Sequence, residues 1–323
     1  MLKQHAHWHW LLLLAFTPLV AQGQATYPTR PMRIIVPFPT GGTIDIVGRT
    51  MAQALTDQLG QNVVVDNRAG AGGILGAELA VKAPPDGHTL CLCSAGAMIT
   101  SPLLQAKPPY DARRDFTPVS LVAHVPYLLL ARPGAFGSVK DMIAAAKQKP
   151  GALNYGSAGT GSSSHLAAAL FVSGAGIQVT HVPYKGSAQA ATELVGGQLH
   201  FVFEAIGQGT QYHRSGRLRA LGVSMPKRSA VLPDVPTIAE QGLPGYEMST
   251  WHTISGPRGL PSHVVARLSA AIMAAVASGD VRERLVTLGT EPVGGTPEQL
   301  REQITREYPR WEKLLSDLEL RQK

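Results

Sequence analysis

The chain has 323 residues, of which 44% are hydrophobic and 16% are charged. This composition holds too much apolar material and too little charge for a disordered protein, and the length allows one large or two medium domains. The formal net charge of +7 is spread along the chain without a dense run of lysine or arginine, so nucleic acid is not a predicted partner.

The first 25 residues have the pattern of a secretory signal peptide. Lys3 precedes an apolar core that runs from Leu11 to about Val20, and Gly23-Gln24-Ala25 offers a small-x-small cleavage site. The short apolar run favours a cleaved signal over the alternative, an uncleaved membrane anchor. We therefore predict a signal peptide at 1–25, whose removal takes one lysine and lowers the formal charge to +6.

Strands and helices alternate from residue 32 onward. The apolar run 32–38 is typical of a strand buried on both faces, and the turn after it leads to a helix with Thr43 as the predicted N-cap. Further strands are predicted at 62–66 and 88–94, with a helix of small residues between them. This alternation predicts an α/β fold with a mostly parallel sheet, in which ligands bind beyond the carboxyl ends of the strands.

The chain contains two cysteines, Cys91 and Cys93. Alternation along the predicted strand puts both side chains on one face, where a spacing of two residues is poor for a disulfide. A metal site would need further ligands that no other cysteine supplies. We therefore predict two small, buried, apolar residues without a disulfide.

The middle of the chain repeats the alternation and predicts a second α/β lobe. Ser138 and Asp141 mark the start of a helix that ends near residue 149. Another helix is predicted at 188–195. Strands are predicted at 127–132, 153–155, 179–184, 199–204 and 218–224, and a long strand at 248–254 is expected to cross back.

Two helices are predicted near the carboxyl end. The first covers 262–278 and is expected to stop at Gly279. The second begins at a capping box of Thr296 and Gln299 and is expected to be kinked at Pro309. Its predicted apolar face consists of Leu300, Ile304, Tyr308, Trp311, Leu315 and Leu318.

The segment from Gly156 to His165 is the strongest candidate site that the residues alone provide. It lies between a predicted strand and a helix-forming run, and five of its ten residues are serine or threonine. A helix start carries unpaired N–H groups and the positive end of the peptide dipole, so this loop and the similar loop at 39–43 are predicted anion sites. The alternative is that Ser162 or Ser163 only caps the helix.

No recognised catalytic constellation occurs in the sequence. It contains no nucleophile elbow, no phosphate-binding P-loop, no complete dinucleotide fingerprint and no His-Glu-x-x-His motif. We therefore predict a binding protein with no catalytic residues, no metal and no cofactor. The alternative is an exported enzyme that uses His165 with Glu204 or a serine. For Glu204, two roles stay open: it orients a ligand amine or hydroxyl, or it caps a neighbouring helix.

An ordered set of motifs extends from Tyr27 to about Leu320, and it resembles the substrate-binding proteins of tripartite tricarboxylate transporters, the Bug/TctC family of periplasmic receptors. The motifs are Tyr27-Pro28-x-Arg30-Pro31-x-Arg33-Ile34-Ile35-Val36-Pro37-Phe38, Gly41-Gly42-x-x-Asp45, Asn67-Arg68-x-Gly70-Ala71-Gly72-Gly73, Pro85-Asp86-Gly87-x-Thr89-Leu90, the Gly159 to His165 run, Val182-Pro183-Tyr184-Lys185-Gly186, Leu232-Pro233-Asp234-Val235-Pro236-Thr237, and Trp251.

The resemblance implies a two-lobe periplasmic binding protein of the type II-like class. Each lobe would be a mostly parallel sheet flanked by helices, with the ligand in the cleft between the lobes. Lobe I would comprise 26–127 and 253–323, and lobe II 128–252, with hinge crossings near 125–132 and 248–257. The implied protein is a periplasmic monomer that delivers a small carboxylate to a membrane permease.

The resemblance also implies which residues form the ligand site. Helix N-termini on opposing lobes would donate N–H groups to one carboxylate or to both ends of a diacid. Thr40 stands where the family usually has proline, so the resemblance does not identify the ligand of this chain. The implied site residues are Phe38, Thr40, Gly41, Gly42, Ala71 and Gly72 from lobe I, and Ser157, Gly159, Thr160, Ser162, Ser163, Lys185, Gly186 and Glu204 from lobe II.

Overall fold

The computed structural model describes residues 27–317. The predicted signal peptide and Leu318 therefore lie outside the described residues. The strands are β1 Met32–Val36, β2 Val63–Asn67, β3 Thr89–Ser94, β4 Phe116–Ala131, β5 Asn154–Ser157, β6 Thr180–Pro183, β7 Phe201–Ala205, β8 Arg219–Val223, β9 Ser249–Pro257 and β10 Glu291–Gly295. The helices are α1 Thr43–Leu59, α2 Ile74–Val81, α3 Ser101–Leu103, α4 Val139–Gln148, α5 Ser163–Ala175, α6 Ser187–Val195, α7 Ile206–Arg214, α8 Ser262–Ala277, α9 Gly279–Thr287 and α10 Pro297–Asp317.

The strands form one mixed sheet with the order β2-β1-β3-β9-β4-β7-β5-β6, and β8 and β10 also pair with β4. The outer strands are parallel, as the alternation predicted, because β1 pairs in parallel with β2 and β3, and β5 with β6 and β7. The inner strands β4 and β9 run antiparallel to their neighbours. The result is the two-lobe α/β architecture that the motifs implied.

The long strand β4 belongs to both lobes. Its first part, from Phe116 to Pro126, pairs with β9, and its second part, from Tyr127 to Ala131, pairs with β7 and β8. We call β1–β3, β9, β10 and the first part of β4 lobe I, and β5–β8 with the second part of β4 lobe II. The residue limits predicted for the lobes and hinges remain a prediction.

Several element boundaries differ from prediction for local reasons. β4 begins at Phe116, well before residue 127. The strand can include Pro118 because this proline lies at a register shift, where a strand tolerates proline. The Gly-containing helix α7 was not predicted. A new helix, α9, starts at Gly279, where the sequence predicted only an end, and α10 continues through Pro309.

Among residues 27–317, no single helix is long and apolar enough to cross a membrane, and the bent pair α8–α9 meets those criteria only together.

The prediction for the cysteines was wrong in one respect. Both residues are fully buried, as expected, but Cys91 and Cys93 form a disulfide. Two residues of an ideal strand span about 6.6 Å, whereas these Cα atoms are 5.5 Å apart. This local shortening brings the pair well within the distance range that a disulfide spans.

The predicted caps of α4 and α10 are confirmed. The Asp141 backbone N–H donates to Ser138 Oγ at 3.2 Å at the start of α4. At the start of α10, Thr296 and Gln299 exchange reciprocal hydrogen bonds of 2.8 and 3.2 Å between side chains and backbone N–H groups. The buried face of α10 packs against β4, and Trp251 of β9 donates its indole N–H to Glu307 of this helix at 2.8 Å.

Candidate functional site

A cavity of about 350 Å³ lies between the two lobes, beyond the carboxyl ends of several strands. This is where the sheet topology predicts a ligand. Apolar and hydroxyl side chains dominate its wall, with one lysine, one glutamate and one histidine. The lining residues are Phe38, Pro39, Thr40, Gly42, Thr43, Ile44, Ser94, Tyr127, Ala158, Ser162, Ser163, Ser164, Lys185, Gly186, Ser187, Ala188, Gln189, Glu204, Ala205 and His252.

The structure brings most of the predicted site residues to this cavity or to its neighbour. Those that line it are Phe38, Thr40, Gly42, Ser162, Ser163, Lys185, Gly186 and Glu204. Ala71, Gly72, Gly159 and Thr160 line a second cavity of about 550 Å³, which shares Lys185 and Gln189 with the first. Gly41 and Ser157 line neither: the Gly41 N–H donates to Asp45, and Ser157 Oγ lies 2.6 Å from His181 Nε2. Their role in ligand binding remains a prediction.

The start of α1 presents free N–H groups to the cavity. Its N-cap is Gly42, in extended conformation, and not the predicted Thr43, and no described side chain caps the helix. Asp45 in the first turn is turned away, since its carboxylate accepts from Arg49, Asn67 and the Gly41 N–H. Burial raises the pKa of Asp45, but these donors outweigh burial and lower it, so this carboxylate stays ionised and engaged.

The start of α6 presents a second set of N–H groups from the opposite lobe. Gly186 is its N-cap, also extended, and the helix likewise has no side-chain cap within the described chain. The first three residues of α6, Ser187 to Gln189, line the cavity. Two uncapped helix starts with positive dipole ends therefore face one cavity, which suits a small anion.

The Gly/Ser loop, which comprises Gly156 to His165, uses its serine hydroxyls in hydrogen bonds within the protein, including the helix cap that the sequence offered as the alternative. Ser162 is the N-cap and accepts from the His165 N–H at 3.4 Å, and Ser164 Oγ accepts from the Ala158 N–H at 3.0 Å. Ser163 Oγ accepts from the Gly96 N–H at 3.2 Å. These hydroxyls line the cavity, but each already has a partner inside the protein.

Three buried polar atoms at the cavity have no hydrogen-bond partner among residues 27–317. They are Thr43 Oγ1, Glu204 Oε2 and His252 Nδ1. A buried polar atom without a partner costs about 1–3 kcal/mol. Because all three belong to residues that line the same cavity, they point to a polar ligand.

Glu204 lies at the carboxyl end of β7 and is 1% exposed. Its Oε1 accepts from Ser187 Oγ at 2.9 Å and from the Ala205 N–H at 3.0 Å. Burial raises the pKa of Glu204 to about 7, while these two hydrogen bonds act in the opposite direction. One oxygen is thus fixed by the protein, next to the start of α6, and the other is left for a further contact.

The free energy of unfolding of wild type is expected to fall between pH 5 and pH 8. The Glu204→Gln substitution is expected to abolish this fall. The unfolded carboxyl ionises near its ordinary pKa of 4.5, whereas the folded pKa is about 7. In this window the folded protein keeps a proton that the unfolded protein has lost, so the free energy of unfolding falls by about 2 kcal/mol as the pH rises.

Denaturant unfolding of both proteins at pH 5 and pH 8 measures this effect. Lys185, Tyr127 and His252 share the cavity with Glu204 and are the same in both proteins, so the difference between the two pH dependences isolates Glu204. An equal decrease in wild type and Glu204→Gln would contradict the prediction.

His165, the residue of the enzyme alternative, does not line the cavity in the described part of the chain. Its Nδ1 accepts from the Gly161 N–H at 3.1 Å, and its ring stacks on His181 at 4.1 Å. Burial, with a smaller contribution from His181, lowers the pKa of His165 to about 3. The side chain is therefore neutral and engaged in structure. Within residues 27–317, no group of three His, Cys, Asp or Glu side chains is placed to hold a metal ion.

Sequence reasoning missed several residues of the cavity wall. Ile44 and the pair Ala188–Gln189 lie in first helical turns, so position alone could have included them. Tyr127 and His252 come from β4 and β9, and their approach depends on antiparallel pairing between distant segments. No local signal in the sequence shows that pairing.

A family model described as the tripartite tricarboxylate transporter family receptor matches residues 47–320. A protein from the tcbD-tcbE intergenic region of Pseudomonas sp. strain P51 is 42% identical over 302 residues, which is 93% of this chain and 90% of that protein.

Solved structures match over nearly the whole fold. The periplasmic binding protein BugD is 34% identical with a TM-score of 0.88, covering 92% of this chain and 100% of that one. Rpa4515 of R. palustris, solved with adipate, is 37% identical with a TM-score of 0.87, covering 90% and 98%. MatC from Rhodopseudomonas palustris, with bound malate, is 34% identical with a TM-score of 0.85, covering 90% and 100%.

Proposed function

Because this chain belongs to the tripartite tricarboxylate transporter receptor family, we propose that it captures a small organic carboxylate by closure of its lobes and delivers it to a membrane permease of that transporter class. It is a periplasmic solute-binding receptor by family and fold. The carboxylate assignment is supported by the adipate and malate that two similar proteins hold. We further propose that the receptor is a monomer, exported by its signal peptide.

The observation that carries this proposal is the convergence of two uncapped helix starts on one cavity. The start of α1 belongs to lobe I and the start of α6 to lobe II. Each start offers N–H donors and a positive dipole end, so one carboxylate or a diacid gains most when it contacts both lobes. A ligand with such differential affinity shifts the balance from the open to the closed form.

Direct contacts between the lobes support closure around a ligand. The Gly96 N–H of lobe I donates to Ser163 Oγ of lobe II at 3.2 Å, and Thr100 Oγ1 donates to the Gly161 carbonyl at 2.6 Å. The Gly/Ser loop is therefore a closing contact as well as a wall of the cavity. Because closure excludes water, it strengthens the hydrogen bonds between the helix starts and the carboxylate. The permease would recognise the closed form.

Thermal melting of the purified mature protein against mono-, di- and tricarboxylates tests the proposal. We expect at least one acid to raise the melting temperature in a concentration-dependent manner, and calorimetry to give saturable binding of that acid. The acid should be recovered unchanged after long incubation. Absence of saturable binding across the panel would contradict the receptor assignment, and conversion of the acid would support the enzyme alternative.

A further inference from the structure

We propose that Glu204 makes this receptor select carboxylates that also carry a hydrogen-bond donor, either a hydroxyl or an ammonium group. This inference rests on the proposed function and deepens it, because it names the chemical class of the ligand. It rests on a difference between the two carboxylate oxygens of Glu204. Oε1 accepts two hydrogen bonds from the protein, and Oε2 accepts none from residues 27–317.

When Glu204 is ionised, the described part of the protein offers its carboxylate no cationic partner. Within the described chain, no lysine, arginine or histidine lies within ion-pair distance of Glu204, although the residue is 1% exposed. Buried charges are normally paired or fully hydrogen-bonded. A donor group of the ligand would supply the missing partner.

The two other unpartnered atoms support a ligand with several polar groups. His252 lies on β9 in lobe I, is 4% exposed, and its Nδ1 has no partner in the described residues. Thr43 Oγ1, at the start of α1, is in the same situation. An unsubstituted carboxylate brings only acceptors, so it cannot donate a hydrogen bond to Glu204 Oε2 when Glu204 is ionised.

The remaining wall fixes the size and the character of the ligand. Phe38, Pro39, Ile44, Ala158 and Ala188 give the cavity apolar surface that suits a short carbon chain. A second ligand carboxylate placed at Glu204 would put two acceptors of like charge together, which is unfavourable. The geometry therefore favours a hydroxy or amino acid over a plain monoacid or diacid.

A matched series of acids tests this selection. The probes are butanoate, its 2-, 3- and 4-hydroxy and 2-, 3- and 4-amino derivatives, and succinate, with the corresponding hexanoates and adipate for a longer chain. Calorimetry at pH 8 compares wild type with Glu204→Gln, which has nearly the same shape but no charge. We expect at least one hydroxy or amino derivative to bind wild type about 10-fold more tightly than its parent acid.

The Glu204→Gln protein should lose most of that preference, because its side chain carries no charge for a ligand donor to neutralise. The inference is overturned if wild type binds the parent acids or diacids at least as tightly as every derivative, or if Glu204→Gln keeps the full preference. If wild type binds no acid of the series or of the wider carboxylate panel, the proposed receptor function is overturned as well. Equal melting temperatures of both proteins at pH 5 serve as the control for folding.

Discussion

Replacing Gly186 with alanine is expected to weaken binding of the carboxylate ligand by about 10- to 100-fold. Gly186 is the N-cap of α6 in lobe II, and a Cβ atom at this position would lie 2.8 Å from Cγ and Cδ of Pro39 in lobe I. The proline ring cannot rotate away from this clash. The lobes must therefore separate slightly, and a ligand between them can no longer contact both helix starts well.

The backbone of Gly186 makes this substitution specific for closure. Its φ of −167° is extended and open to any residue, so alanine brings no conformational strain in the open form. We expect the melting temperature of the unliganded protein to change little. Calorimetric titration measures the affinity, and small-angle scattering of the ligand-saturated protein should give a larger radius of gyration than wild type.

A matched control is available at Gly279. This glycine begins α9, far along the chain from the cavity residues, and a Cβ atom there would have no neighbour within 4 Å. Gly279→Ala should therefore bind the ligand as tightly as wild type. Unchanged affinity in Gly186→Ala would show that the contact with Pro39 does not limit closure.

The strands and helices of the outer sheet could be predicted because their signals are local. The apolar run at β1 and the capping residues of α4 and α10 each act within a few neighbouring residues. The centre of the sheet could not be predicted in this way. β4 pairs with β9, which lies more than 120 residues further along the chain. In addition, Pro118 near the beginning of β4 favours the interpretation of this segment as a connection between strands.

The candidate site shows the same limit. The hydroxyls of the Gly/Ser loop were the strongest signal in the sequence, yet Ser163 is bonded to the distant Gly96 N–H and lies 2.9 Å from Thr250 Oγ1. The start of α6 has no comparable run of serine and threonine. Its proposed role in ligand binding follows from the absence of a side-chain cap and from its position opposite α1. Composition indicates where donors are available, whereas only the fold decides which donors are already used.

The disulfide between Cys91 and Cys93 is a further case. The sequence argument assumed an ideal strand, whose two-residue step of about 6.6 Å makes the pair poor for bonding. The actual strand has a Cα–Cα distance of 5.5 Å at this point. A small local departure from ideal geometry was therefore enough to reverse a prediction made from spacing alone.

Replacing Ser187 with proline is expected to reduce carboxylate affinity by about 10- to 100-fold, since it deletes one N–H donor to a charged group. Ser187 is the first residue of α6, where proline is tolerated and often favoured. Gly186 before it has φ −167° and ψ 160°, a conformation that a following proline accepts. The helix should therefore persist while its first amide donor is lost.

Ser187→Ala is the matched control, because both substitutions remove the hydroxyl that donates to Glu204 Oε1 and only proline removes the N–H. We expect the alanine protein to bind a plain carboxylate about 10- to 100-fold more tightly than the proline protein, with equal circular dichroism and similar melting temperatures. If both variants bind equally well, the Ser187 amide does not contact the ligand. The coupling of binding to closure from lobe II would then rest on the amides of Ala188 and Gln189, which also line the cavity and are unchanged in both variants.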